Sequence, residues 1–281
     1  MKDAASASMP KDPPLRVLDI QAAEVEKYPN LIRDLNDGNV NVALVRGVFP
    51  IEAAQKIVER VEAGEGSSAL TEVAPQFRIY SIGLALDTAP SLEEYLRAAQ
   101  SSVPECSKIF RDLPDYFVTM PALFASLSGG RPVDLPRYQD RPYNPVTIRR
   151  LPEGGFIPPH CEFEQLNRPS YQHLKGLIGT QSIMSYYVTL RPPESGGQAF
   201  ISTLSWGEVP IAADGRSGAD TVETIKRYPS MTFLPGVGDL IMFDGGRLYH
   251  QVIEVRGARP RWTIGGFMSE SAARDRIWYW S

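Results

Sequence analysis

The sequence predicts an α+β protein: a jelly-roll core, the double-stranded β-helix, with N-terminal helices packed on it. Two observations carry this. Helical signatures fill the first half of the chain, and short β-rich runs punctuated by Pro and Gly fill the second, the change of texture falling at Gly129-Gly130. The 281 residues, 43% of them hydrophobic and 22% charged, are enough to bury a sizeable core in one domain.

Residues 1–14 (MKDAASASMPKDPP) are small, polar and Pro-containing and are expected as a flexible tail, since they bury too little to offset their ordering entropy. The remainder, 15–281, is expected to be a single domain, helix-rich over 15–130 and a jelly roll over 131–281. In the first part, 41–48 (NVALVRGV) reads as a strand. Pro50 then opens a helix to residue 63 whose apolar face is Ala53, Ile57, Val58 and Val61. Ser91 with Glu94 forms a capping box for a helix ending near Gln100, and 106–128 reads as helical again with interruptions at Pro114 and Pro121. In the second part the runs 145–151, 182–190, 198–204, 231–234, 239–243, 249–255 and 261–268 read as strands, a number that suits a double-sheet jelly roll.

Charge narrows the partners. With 29 basic and 33 acidic residues the net charge is −4, so no phosphate-neutralising surface dominates and nucleic acid is not an expected partner. No run of 18 apolar residues predicts a membrane span, and 1–14 has no apolar signal core. Two cysteines, Cys106 and Cys161, are too few for a disulfide framework, which fits a reducing cytoplasm.

Three histidines occur, His160, His173 and His250. In Pro158-Pro159-His160-Cys161-Glu162 the imidazole and carboxylate are two residues apart, which on extended backbone puts them on one face with Cys161 pointing into the core. A His-x-acid triplet arises readily by chance in a chain with 33 acids, so this element alone is weak. A strand delivering His250 to the same point would complete two histidines and one carboxylate, a facial triad leaving positions open on an iron ion. Further on, Arg261 and Thr263 repeat the two-residue spacing, offering a guanidinium fork and a hydroxyl to a carboxylate. His173, in a polar stretch, is expected as a loop or surface residue.

This arrangement, His160-x-Glu162, then His250, then Arg261-x-Thr263, resembles the Fe(II)- and 2-oxoglutarate-dependent dioxygenases. Gly47-Val48-Phe49-Pro50, Ser126-Leu127-Ser128-Gly129, Thr147-Ile148-Arg149 and the overall length are similar to the free-standing halogenases of hapalindole and welwitindolinone biosynthesis. Those halogenases carry Gly where this chain has Glu162, and the vacancy accepts chloride. The resemblance therefore implies a hydroxylase acting on an unactivated C–H bond of a small biosynthetic intermediate, an apolar natural product or a modified amino acid. It implies Fe(II), 2-oxoglutarate and O2 as cofactor and cosubstrates, with succinate and CO2 as co-products. Residue by residue it implies His160, Glu162 and His250 on the metal, and Arg261, Thr263 and Tyr186 on 2-oxoglutarate. Phe163, Phe77, Tyr80 and Ile82 are the expected substrate contacts, each with core packing as the alternative. The loop 212–220 (AADGRSGAD) is a possible lid. The same site could carry out desaturation, epoxidation or cyclisation; outside catalysis, the alternative is a jelly-roll ligand-binding module, for which the Arg261-x-Thr263 anchor has no use.

Overall fold

A computed structural model of the protein describes residues 14–65, 70–179, 182–208 and 221–281. The expected tail falls almost wholly outside these residues, and the expected lid 212–220 does so entirely. Two sheets form the core. The larger follows the order β1 (Val17–Gln21), β2 (Val42–Arg46), β13 (Leu240–Phe243), β10 (Met184–Arg191), β15 (Arg261–Glu270), β8 (Thr147–Leu151), β4 (Ile79–Ile82), β3 (Leu70–Ala74). β16 (Ile277–Trp280) also pairs with β15 and with the short β5 (Val133–Asp134), while β6 (Arg137–Tyr138) and β7 (Arg141–Pro142) form a hairpin of their own. The smaller sheet runs β12 (Ser230–Phe233), β11 (Ala199–Ser205), β14 (Leu248–Val252), β9 (Ile157–His160). Each strand run expected in the second half corresponds to a strand, and the α+β jelly roll with appended helices is the architecture observed.

The two faces of the larger sheet have different partners. Met184, Tyr186, Val188 and Leu190 of β10, with Ile148, Trp262, Ile264 and Met242 from its neighbours, pack on Ala54, Ile57 and Val58 of α2 (Ile51–Glu62) and on Met120 and Phe124 of α4 (Tyr116–Ser126). Each fully buried aliphatic or aromatic side chain there contributes about 1.5–3 kcal/mol. The alternate residues, Ser185 and Tyr187, turn the other way, into a cavity shared with the smaller sheet. The helix-rich first part is thus what seals the outer face and leaves the inner face free.

Several local features differ from the sequence expectation. α3 (Leu92–Phe110) does begin at Ser91, whose Oγ accepts the Glu94 N–H at 3.2 Å, but it runs through Pro104 instead of stopping near Gln100. Its buried stripe of Tyr95, Leu96, Ala99, Ser102, Cys106, Ile109 and Phe110 outweighs the one hydrogen bond that proline removes. Likewise only Pro114 separates the helices: Pro121 lies inside α4, flanked by the buried Met120 and Phe124. Besides β2, which the strand expected over 41–48 anticipates, the first part supplies β1, β3 and β4, extending the larger sheet at both ends. β9 contains Pro158 and Pro159, and its place at the edge of the smaller sheet explains their tolerance, because an edge strand leaves one row of N–H groups unpaired. α1 (Leu31–Asn36), α5 (Gln172–Ile178) and α6 (Thr221–Ile225) complete the helices, and among the described residues none is long and apolar enough to cross a membrane.

Candidate metal centre

The smaller sheet places the two histidines. β9 and β14 pair antiparallel with His160 directly opposite His250, and their ring centroids lie 4.3 Å apart. Each ring is oriented by its own strand: Nδ1 of His160 is 2.8 Å from the Pro158 carbonyl and Nδ1 of His250 is 2.9 Å from the Leu248 carbonyl. A carbonyl only accepts, so Nδ1 carries a proton in both rings and Nε2 of the neutral ring is the lone pair a metal would take; on His250 that nitrogen faces Glu162 and holds a second proton when the ring is charged.

Glu162 enters from the next turn. Cys161 is extended and Glu162 begins a 3-10 helix over Glu162–Asn167, so the two-residue alternation survives the end of β9. Cys161 is fully buried beside Leu204, Ile225 and Tyr249, and both cysteines are free. Oε1 of Glu162 lies 3.2 Å from Nε2 of His250 and 4.0 Å from Nε2 of His160. One donor atom from each of the three falls within 4.8 Å of the others, the spacing one ion can bridge.

The carboxylate is fixed on every side. Its main-chain N–H donates to the Gly245 carbonyl at 2.9 Å, and Ser185 Oγ donates to Oε1. Oε2 is enclosed with no partner among the described residues, against Gly245, where any Cβ would collide with both Oε2 and Ser185 Oγ. Burial works against a charged Glu162, yet His250, His160 and Ser185 together hold its carboxyl below the ordinary 4.5. Burial and then the neighbouring His250 push His160 down to about 4. Burial acts downward on His250 as well, but the Glu162 charge and hydrogen bond prevail and lift it above 6.5.

The larger sheet supplies the far end of the cavity. Arg261 and Thr263 share the inner face of β15, with Nη1 of the arginine 3.5 Å from the threonine hydroxyl. Arg261 is 3% exposed and has no ion pair among the described residues. Its guanidinium lies 4.7 Å above the ring of Tyr187, whose hydroxyl is itself enclosed without a partner among the described residues. A buried cation lacking a counter-charge beside an orphaned hydroxyl is costly unless an anion completes it. The donor set therefore fits a dicarboxylate, and the histidine and carboxylate set fits a divalent iron.

Tyr186, expected beside 2-oxoglutarate, contributes to the cavity lining but has its hydroxyl 3.2 Å from that of Tyr116 on the helix side, while strand alternation turns Tyr187 toward Arg261. Tyr80 lies under Arg150, 5.4 Å from its guanidinium, and Ile82 is wholly buried in the core, so Ile79 and Ser81 are the β4 residues that line the cavity. Phe77 stacks edge-on against Phe156 at 5.3 Å and Phe163 against Trp206 at 6.4 Å, both as packing. His173 is half-buried in α5, its Nδ1 3.0 Å from the Tyr143 hydroxyl, and takes no part in the centre. Trp262 and Trp280 are core residues. Ser185, Tyr187 and Gly245 escaped the sequence reading. The apolar phase of β10, Met184-Tyr186-Val188-Leu190, is the signal that would have turned Ser185 and Tyr187 inward.

A facial group of two histidines and a carboxylate between the sheets of a jelly roll, with a buried arginine beyond it, defines the class of Fe(II)- and 2-oxoglutarate-dependent oxygenases. Within that class the chain belongs to the family of the carrier-protein-independent halogenase WelO5, whose sequence pattern it matches over residues 14–281. No curated protein sequence matches it significantly. Among solved structures it is similar in fold to an N-substituted L-amino acid dioxygenase from Burkholderia ambifaria AMMD, with a TM-score of 0.55 and 14% identity over 92% of this chain and 91% of that one. It is likewise similar in fold to the carbocyclase SnoK of nogalamycin biosynthesis, with a TM-score of 0.50 and 12% identity over 86% and 85% of the two chains.

Proposed function

We propose that the protein is a hydroxylase of a small biosynthetic intermediate, a departure in outcome from the halogenation that gives its family a name. Glu162 carries this reading: its Oε1 faces both histidines at the third facial position, the place where the resembled halogenases have a glycine and admit chloride. With a carboxylate fixed there by Ser185 and Gly245, no protein-vacated position remains for a halide.

In this reading His160, Glu162 and His250 hold Fe(II), each histidine through Nε2. Arg261 would receive the distal carboxylate of 2-oxoglutarate, with the hydroxyls of Thr263 and Tyr187 as further donors to the same group. Iron, 2-oxoglutarate and O2 supply the oxidising power that breaks an unactivated C–H bond and yield succinate and CO2. The chain itself would orient the cosubstrate and turn Nε2 of both histidines to the metal, with His160 already neutral and His250 giving up its proton as the metal binds. Residues 15–281 would act as one catalytic unit on a small molecule.

Turnover under 18O2 in the presence of chloride, with a metabolite extract as substrate source, tests the outcome by mass spectrometry. A product heavier by one labelled oxygen supports hydroxylation. A chlorinated product, or one lighter by two hydrogens, contradicts it.

A further inference from the structure

The cavity holds two further charged groups that neither the iron nor the 2-oxoglutarate reading uses. Asp87, in the turn after β4, and Arg149, on β8, line the same cavity as His160, Glu162 and Phe267. Register brings Arg149 there: it pairs with Ser81 on one side and with Thr263 on the other, and shares their inward face. Among the described residues Nε of Arg149 is enclosed without a partner, and so is Oδ1 of Asp87. Among the described residues the two side chains form no ion pair with each other. The nearby Arg168 grips the turn through the main-chain carbonyl of Asp87, leaving the carboxylate untouched. Burial, with a contribution from Arg261, pulls the Arg149 guanidinium below its ordinary range, and Asp87 counteracts it, so the two charges sense each other without touching.

Two opposite charges in one cavity, each with an enclosed and unpaired atom, cost free energy that a direct bridge would relieve. The bridge is not made. A ligand carrying both opposite charges would relieve both groups at once. Ile79, Ala85, Ile157 and Phe267 supply apolar wall around them, and the other polar groups of the lining, Ser81, Thr88, Thr147 and Gln251, are uncharged. In that reading Arg261 would meet the distal carboxylate of 2-oxoglutarate, and a cosubstrate role for Arg149 is the competing outcome that the test below separates.

We propose that Asp87 and Arg149 are the two poles of a substrate subsite for an amino acid with an apolar side chain, its ammonium at Asp87 and its carboxylate at Arg149. This rests on the iron and 2-oxoglutarate reading of the neighbouring centre, and narrows its substrate from small apolar metabolites in general to zwitterionic ones.

The test is anaerobic calorimetric titration of the protein loaded with Fe(II) and 2-oxoglutarate. The probes are L-leucine and L-phenylalanine, each beside its deaminated acid (isocaproate, hydrocinnamate) and its decarboxylated amine (isopentylamine, phenethylamine), with indole as an uncharged control. At least one amino acid is expected to bind about tenfold or more tightly than either half, each charged contact being worth about that factor. Asp87→Asn is expected to erase the advantage over the acid, and Arg149→Gln the advantage over the amine, while both variants keep their affinity for 2-oxoglutarate. The proposal is overturned if neither amino acid surpasses its halves, if indole binds as tightly, or if Arg149→Gln loses 2-oxoglutarate instead. Loss of the iron-cosubstrate absorption band in the unaltered protein would overturn the centre's assignment and this subsite with it; an intact band with no preference for zwitterions overturns the subsite alone.

Discussion

Ser185 donates its hydroxyl hydrogen to Oε1 of Glu162, the oxygen that lies 3.2 Å from Nε2 of His250. The other oxygen is walled in against Gly245. The carboxylate is thereby presented to an ion through a single atom, in a fixed rotamer, before any ion arrives. Removing the hydroxyl frees that rotamer. Ser185→Ala is expected to weaken Fe(II) binding about ten- to hundredfold, the usual cost of losing a group that orients a ligand. Anaerobic Fe(II) titration of both proteins measures it, and equal affinities would deny Ser185 the positioning role.

Gly245 is the complementary constraint. A methyl group there meets Glu162 Oε2 and Ser185 Oγ, so one of them must move. Gly245→Ala should lose iron affinity more severely than Ser185→Ala, with an overpacking cost of about 1–3 kcal/mol in stability. Circular dichroism melts beside the metal titration separate the two effects. A variant that melts earlier yet binds iron normally would show that the glycine serves packing alone.

The two tyrosines of β10 give a test of strand phase. Tyr187→Phe removes the orphaned hydroxyl beside Arg261 and should weaken 2-oxoglutarate about two- to tenfold, the range of one neutral hydrogen bond. Tyr186→Phe breaks only the bond to Tyr116 and should leave 2-oxoglutarate affinity unchanged while lowering stability by about 1 kcal/mol. Arg261→Gln should raise the 2-oxoglutarate dissociation constant about ten- to hundredfold with iron retained, since a charged contact is lost far from the metal. The reverse order for the tyrosines would restore Tyr186 to the cosubstrate.

Those tyrosines also mark where the sequence stopped being legible. His160, Glu162 and His250 could be picked out because histidine is scarce in this chain and the two-residue spacing has one geometric meaning on extended backbone. Arg261 and Thr263 share that logic. Phase within a strand was harder, because both faces of the larger sheet are covered. β4 buries Ile79 and Ser81 toward the cavity and Ile82 toward the helices, so its residues show no apolar-polar alternation to reveal which side is inward. β9 was read as extended but not counted among the strands, because two prolines are tolerated in a strand only at an edge, which pairing alone reveals. The helix through Pro104 depended on burial along a whole face, a tertiary effect that local propensity does not contain. Asp87 and Arg149 sit far apart in sequence, and only the return of β8 beside β4 brings them into one cavity.

The histidine and carboxylate pair predicts how iron uptake depends on pH. Without metal, Glu162 lifts His250 above its ordinary 6.5, so near neutrality part of the protein holds a proton that iron must displace. His160, pushed down to about 4, is already neutral there and contributes nothing. Iron affinity is therefore expected to rise as pH climbs through the raised His250 value and to level off above it. Calorimetry in buffers of different ionisation heat should detect proton release on Fe(II) binding near neutrality and none on the plateau. Proton release that grows with pH would assign the displaced proton to another group.

The central claim is that His160, Glu162 and His250 hold an iron that 2-oxoglutarate chelates, with Arg261 at its far end. Its most direct test is the visible absorption spectrum after anaerobic addition of Fe(II) and 2-oxoglutarate to the metal-free protein. The account predicts a weak metal-to-ligand charge-transfer band near the middle of the visible range, absent in His250→Ala and shifted to higher 2-oxoglutarate concentration in Arg261→Gln. A folded, metal-free protein that gives no such band on saturation with both would contradict it.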